Sequence, residues 1–114
     1  MNYQITSDNI DLSSSMEALA REKFERLEKR TRDENEETKH ARVVLNSAPD
    51  GKFLVKAKFH VGDKEYFSNE TDFTLEGALI KIVEEIWQMM EKDKSIRERE
   101  MKSGQVKDLL DEGN

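Results

Sequence analysis

The chain contains no cysteine, which excludes a disulfide framework and any thiolate metal or redox site. Its single proline and five glycines include no glycine-rich loop able to cradle a phosphate. The only histidines, His40 and His60, lack the i,i+4 spacing of a helical metal pair. No stretch approaches the roughly 20 apolar residues of a membrane span. The first residues, Met1 to Asp11, have neither the basic start nor the apolar run of a signal peptide. A soluble, cytoplasmic protein without a membrane partner is therefore expected. Carboxylates are plentiful, but none is set beside a nucleophile or base, and Ser13-Ser14-Ser15 reads as helix capping rather than nucleophilic chemistry. No catalytic residue, no metal site, no cofactor and no small-molecule substrate are expected, so the chain does not read as an enzyme.

What the chain does have is one domain's worth of patterned sequence. At 114 residues, 35% hydrophobic and 39% charged, it can build one thin core, and its periodicity argues against wholesale disorder. Residues 2–7 alternate, with Tyr3 and Ile5 opposite Gln4 and Thr6, as a half-buried strand does. Asp8-Asn9 turns the chain. Ser14, three residues before Glu17, has capping-box spacing and predicts a helix start. Met16, Ala20, Phe24 and Leu27 then form an apolar stripe. The acidic run 33–37 has no apolar anchor and reads as a solvated loop.

Ala41, Val43 and Leu45 alternate with polar or outward neighbours as a second strand, and Pro49-Asp50-Gly51 forms a turn, proline presetting φ and glycine tolerating positive φ. A third strand has Phe53, Val55, Ala57, Phe59 and Val61 on one side and Leu54, Lys56, Lys58 and His60 on the other. Gly62-Asp63 predicts a tight hairpin into a fourth strand over 64–70. There Tyr66 and Phe67 compete for the inward side. From Thr74 or Leu75 a second helix carries the stripe Leu79, Ile82, Val83, Ile86 and Met90, which fails at Asp93. Ser103-Gly104 is expected to break that helix. The order is β-α-β-β-β-α, an α+β sandwich with a four-stranded sheet and two helices packed on one face. It forms a single domain over 1–102 with a flexible tail over 103–114.

Net charge is −6, the wrong sign for a general nucleic-acid binder. The charge is segregated, however. Residues 21–32 hold six basic and three acidic side chains, and residues 38–62 hold five basic and one acidic. A basic surface inside an acidic molecule is thus allowed.

Four segments carry a family resemblance. Tyr3-Gln4-Ile5-Thr6-Ser7-Asp8-Asn9-Ile10-Asp11-Leu12 resembles the first strand and turn of the ribosome hibernation-promoting factors, also called ribosome-associated inhibitors. Glu22-Lys23-Phe24-Glu25-Arg26-Leu27-Glu28-Lys29 is similar to their first-helix signature, and Ala41-Arg42-Val43-Val44-Leu45 to their second strand. Ala78-Leu79 with Val83, Ile86 and Met90, ending in Lys92-Asp93-Lys94, resembles their second helix. The match covers about residues 2–96 and is to the short type. It implies the β-α-β-β-β-α fold and a protein that sits on rRNA of the small ribosomal subunit, in the channel of messenger and transfer RNA. Such a protein silences translation in stress or stationary phase and catalyses nothing. The chain also departs from the family pattern. Thr74 and Glu76 stand where an aspartate and a tyrosine are usual, Asp72-Phe73 supplying the aspartate only with a shift. Glu85, Gln88 and Glu91 replace usually basic positions, and Asp93 interrupts the lysine cluster.

Under that resemblance the residues expected to contact RNA phosphates are Lys23, Arg26, Lys29 and Arg30 on the first helix, with Lys92 and Lys94 on the second. On the bland reading the first-helix set is a solvated face laced with Glu22, Glu25 and Glu28, and the second-helix set an ion-paired helix end. Arg42, Lys56 and Lys58 offer a secondary basic surface, or merely lysines that discourage edge pairing. Trp87 reads as a cap on the core edge or as a partner-binding anchor. The alternative function is that of a diverged member that has lost RNA binding and acts through protein–protein contact, including homodimerisation.

Overall fold

The computed structural model describes the backbone of residues 1–112 and the side chains of residues 1–94. The strands are β1 (Asn2–Thr6), β2 (His40–Ala48), β3 (Lys52–Val61) and β4 (Lys64–Asp72), and the helices are α1 (Ser14–Arg30) and α2 (Leu75–Glu112). They follow one another as β-α-β-β-β-α, and the sheet order is β1-β2-β3-β4. β1 runs parallel to β2, as a helical crossover through α1 permits, while the two hairpins make β2, β3 and β4 antiparallel.

Both expected turns form. The β2–β3 register is centred on Asp50, which takes φ 65° and is followed by Gly51 at φ 73°. Two successive residues in the left-handed region give a turn whose twist matches that of the flanking strands, and Asp-Gly is a favoured pair for it. Between Val61 and Lys64, Gly62 takes φ 60° as the first of two turn residues. The Ser7-Asp8-Asn9 turn is tied to the end of β2. Buried Asn46 accepts from the Asp8 N–H at 2.8 Å, and Asn9 brackets the backbone of Ser47 with bonds of 2.9 and 3.0 Å.

The core lies on one side of the sheet. Ala41, Val43, Leu45, Val55, Ala57 and Phe59 meet Ala20, Phe24 and Leu27 of α1 and the expected α2 stripe from Leu79 to Met90, all buried. Each fully buried Phe or Leu contributes about 1.5–3 kcal/mol. One local reading shifts, and one left open is decided. The N-cap of α1 is Ser13, whose hydroxyl accepts from the Met16 N–H at 3.1 Å, one residue before the predicted Ser14. Ser13 caps without the capping-box glutamate, since Met16 stands three residues on from it and Glu17 four. In β4, Tyr66 packs inward against the core and Phe67 faces out.

Ahead of α2, the Thr74 hydroxyl accepts from the Gly77 N–H at 2.9 Å, and the Asp72 carboxylate accepts from the Thr74 N–H and from Lys81. A Cβ at Gly77 would come within 2.8 Å of both Asp72 and Thr74 side-chain atoms, so the cap requires glycine there. The backbone of α2 is continuous across Ser103-Gly104, where a break is predicted. One glycine costs a helix only about 1 kcal/mol relative to alanine. The side chains of the expected tail, 103–114, fall outside the description. No described helix is long and apolar enough to cross a membrane.

Under α2, Glu70 of β4 shares a hydrogen bond with Glu85, which also accepts from the Ser68 hydroxyl. That shared bond, then desolvation and the Glu85 charge, raise the Glu70 carboxyl above its ordinary range, against the pull of Lys81. A folded pKa above the unfolded one stabilises the fold below the unfolded pKa, and that contribution is lost as pH rises through the folded value. Glu70→Gln keeps a donor toward Glu85 at every pH. It should raise the urea midpoint relative to the parent at pH 7.5, with the difference shrinking by pH 4. An equal difference at both pH values would refute the shared proton.

Candidate nucleic-acid interface

Two surfaces hold the sequence-predicted cations, and the fold treats them differently. The first is the seam where α1 lies against α2. Lys23, Arg26 and Arg30 follow one another along α1 at helical spacing and point at α2. Lys23 pairs with Glu76 at 3.1 Å. Arg30, its side chain 14% exposed, pairs with Glu91 at 2.6 Å and donates to the Trp87 carbonyl at 3.4 Å. Above the Trp87 ring lie both the Arg30 guanidinium, 4.1 Å from the centroid, and that of Arg26, at 4.4 Å. Lys23 and Arg30 thus join the two helices, each opposed by a carboxylate. Arg26 is exposed, stacked on an aromatic plane, and has no carboxylate partner among the described residues. Trp87 is half-buried at the core edge and serves as the plate under both arginines.

The remaining helix cations sit outside the seam. Lys29 is exposed, with Glu25 one turn back at 3.6 Å, a surface pair worth a few tenths of a kcal/mol and screened by salt. Lys92 and Lys94 are exposed on α2. Between them Asp93, where the apolar stripe fails, accepts from the Tyr66 hydroxyl at 2.9 Å and faces Lys64 at 3.9 Å. The expected set of six therefore splits into three: a structural pair (Lys23, Arg30), a stacked guanidinium (Arg26) and three solvated lysines.

The second surface is the face of the sheet turned away from both helices. Three rows of side chains cross it. The registers place Asn2, His40, His60 and Glu65 in one row, Gln4, Arg42, Lys58 and Phe67 in the next, and Thr6, Val44, Lys56 and Asn69 in the third. All are exposed except half-buried Val44 and His60. These rows carry three cations and one carboxylate, Glu65, which pairs with Lys58 at 3.2 Å. Arg42 donates to Gln4 at 3.2 Å. The two histidines, far apart in sequence, lie directly opposite each other, their ring centroids 5.9 Å apart. A shallow depression of about 420 Å³ runs between them and the Arg42–Lys58 pair. The secondary basic residues Arg42, Lys56 and Lys58 are thus brought together on one open surface.

Residues that the spacing rules missed are the partners. Lys39 is almost fully buried, its ammonium donating to the Thr31 carbonyl at 3.0 Å and pairing with Glu36 at 2.6 Å. Hydrogen bonds from Lys39 and then from the chain's amino terminus hold the Glu36 carboxyl down at about 2. Tyr3 donates to Glu28, and its burial, then that bond, push the phenol well above its usual range. The His40–His60 pairing could have been found by counting outward from the Asp50 turn. A second depression, about 290 Å³, is lined by charges of both signs, among them Arg30, Asp33, Lys64 and Lys94. No group of three or more His, Asp or Glu able to hold a metal occurs among the described residues.

An α+β sandwich with one face of its sheet left open and cationic defines the class. The model of the family described as Sigma 54 modulation protein / S30EA ribosomal protein matches residues 3–98, and the chain belongs to that family. Two solved structures share its fold. The N-terminal domain of Protein Y from Thermus thermophilus has a TM-score of 0.70 at 20% identity, covering 81% of this chain and 98% of that one. A ribosomal subunit interface protein from Coxiella burnetii has a TM-score of 0.70 at 17% identity, covering 83% and 99%. No curated protein matches the chain.

Arg26→Ala and Arg30→Ala separate the seam's contributions. Arg30 loses a stacked guanidinium and leaves Glu91 unpaired, so it should cost about 1–2 kcal/mol in urea unfolding, against about 0.5–1 for Arg26. Equal costs, or a larger one at Arg26, would contradict the division of roles.

Proposed function

We propose that this chain is a ribosome-associated factor that binds rRNA of the small subunit and silences translation by occupying the channel of messenger and transfer RNA. One observation carries this reading: on a protein of net charge −6, the sheet face left open by the core is cationic, with Arg42, Lys56 and Lys58 against Glu65. Membership of the S30EA family supports it, as does the shared fold of a chain called a ribosomal subunit interface protein. The mechanism is steric: a small rigid wedge held by phosphate contacts and doing no chemistry. Arg26, Lys29, Lys92 and Lys94 reach solvent and supply the helix-side contacts. Lys23 and Arg30 act through the angle they hold between α1 and α2.

A second reading rests on Glu76 and Glu91, which neutralise two of the four α1 cations. It is a diverged member that has lost RNA binding and works by protein–protein contact or as a homodimer. Light scattering separates the two, since a ribonuclease-insensitive dimer that ignores ribosomes would favour it.

Cosedimentation with small subunits across a salt series tests the first reading. Binding should fall as salt rises, each phosphate contact contributing about 0.7–0.9 to the log–log slope. A Lys29→Glu, Lys92→Glu double variant should bind more weakly with a slope flatter by about 1 or more. No binding at low salt, or binding indifferent to these reversals, would reject it.

A further inference from the structure

We propose that the open face of the sheet is a platform for single-stranded RNA, with Phe67 stacking a base and Arg42, Lys56 and Lys58 holding the phosphates on either side of it. This deepens the rRNA reading above and rests on it for the source of the RNA.

The first observation is Phe67. It is 53% exposed in the middle of a regular strand, directly opposite Lys58 and on the face away from the core. A folded chain gains little by displaying a phenylalanine there, and the adjacent Tyr66 already fills the inward position. A base needs this arrangement: an accessible aromatic plane with a cation one strand away. Stacking on such a plane is worth about 1–3 kcal/mol per base and tolerates any sequence.

The second observation is a broken pairing rule. Arg42 and Lys58 stand directly opposite each other across β2 and β3, and like charges in that position destabilise a sheet. In the neighbouring row two histidines face each other. Among the described residues, Glu65 on the β4 edge strand is the one carboxylate set beside this group. Local rules tend to fail at functional sites, and an anionic ligand lying across β2 and β3 would turn this repulsion into attraction. A duplex fits less well, because its bases are stacked inside and would leave Phe67 without a partner. Gln4 and Asn69, at the ends of these rows, add exposed amides to the same face.

The only tryptophan lies on α2, on the other side of the sheet. Trp87 emission therefore distinguishes RNA on the open face, which leaves it unchanged, from RNA on the helix seam, which quenches it.

The test uses the full chain and a fluorescein-labelled 12-nucleotide oligouridylate at low salt, read by anisotropy, with a 12-base-pair RNA duplex as comparison. The single strand should bind at least fivefold more tightly than the duplex, without change in Trp87 emission. Phe67→Ala should weaken single-strand binding by about 5- to 100-fold, the span of one lost stack, while Phe67→Tyr retains it. Lys58→Glu should weaken it and flatten its salt dependence, and Arg32→Glu, in the exposed turn after α1, should leave it within twofold. Because Phe67 is exposed, its variants should keep the parent melting temperature, which is checked alongside.

Absence of single-strand binding, equal affinity for duplex, loss of less than twofold in Phe67→Ala, or quenching of Trp87 would each overturn the platform. So would a Phe67-dependent dimer, which would mean that the face packs on a second copy. The ribosome reading fails separately: parent protein that binds the oligonucleotide through Phe67 but does not cosediment with small subunits keeps the platform and loses the ribosome. Cosedimentation without oligonucleotide binding does the reverse.

Discussion

A four-stranded sheet covered on one face only is the constraint from which the rest of this molecule follows. The apolar residues of β2 and β3 that alternate inward meet Phe24 and Leu27 of α1 and the α2 stripe, and that single layer is all the apolar surface a chain of this composition can bury. The outward residues are then free of packing demands. They can hold charge, amides and an exposed aromatic at little cost to the fold, provided the edges are managed. Core packing and solvent-facing charge are therefore assigned to opposite faces of the same strands, one residue apart. A slip of one residue in the β2–β3 register would exchange the two faces. The Asp50-Gly51 turn, with both residues in the left-handed region, pins that register.

The two helices show a different use of charge. Oppositely charged pairs at the seam are partly shielded, and Arg30 lies between a ring and a carboxylate with little solvent. Partly buried ion pairs of this kind fix geometry more surely than they add stability. Lys23–Glu76 at one end and Arg30–Glu91 at the other tie α1 to α2, with the Trp87 ring against both Arg26 and Arg30. The acidic residues that depart from the family pattern on α2 therefore have an internal use. Glu91 holds Arg30, and Glu85 holds Ser68 and Glu70.

Periodicity made the framework legible. The alternation in β3, the stripe from Leu79 to Met90 and the two turns are local signals, and each element formed where its signal lay. The inward side of β4 was not legible, because Tyr66 and Phe67 are both aromatic and their neighbours are polar on both faces. Only the register with β3 decides between them. The site was less legible still. Helical spacing puts Lys23, Arg26 and Arg30 on one flank, but whether that flank meets solvent or Glu76, Trp87 and Glu91 depends on residues some fifty to sixty positions away. The grouping of Arg42, Lys56 and Lys58 with the histidine pair was within reach, since a hairpin centred on Asp50 dictates it.

Net charge says little about any one surface of this chain. The sum of −6 combines charges that never share an environment. The acidic run after α1 is exposed, its Glu36 engaged by Lys39 and the amino terminus, while Glu76, Glu85 and Glu91 are bonded to partners at the helix faces. At ionic strengths near 0.15 M the Debye length is about 8 Å, shorter than the distance from one face of a two-layer domain to the other. A polyanion approaching the open face is thus governed by Arg42, Lys56, Lys58 and Glu65, and carboxylates beyond the core are largely screened from it. Whether an acidic protein can hold an anionic polymer is decided by the local sign of one surface, and here the side of the sheet without helices has the sign that attracts it.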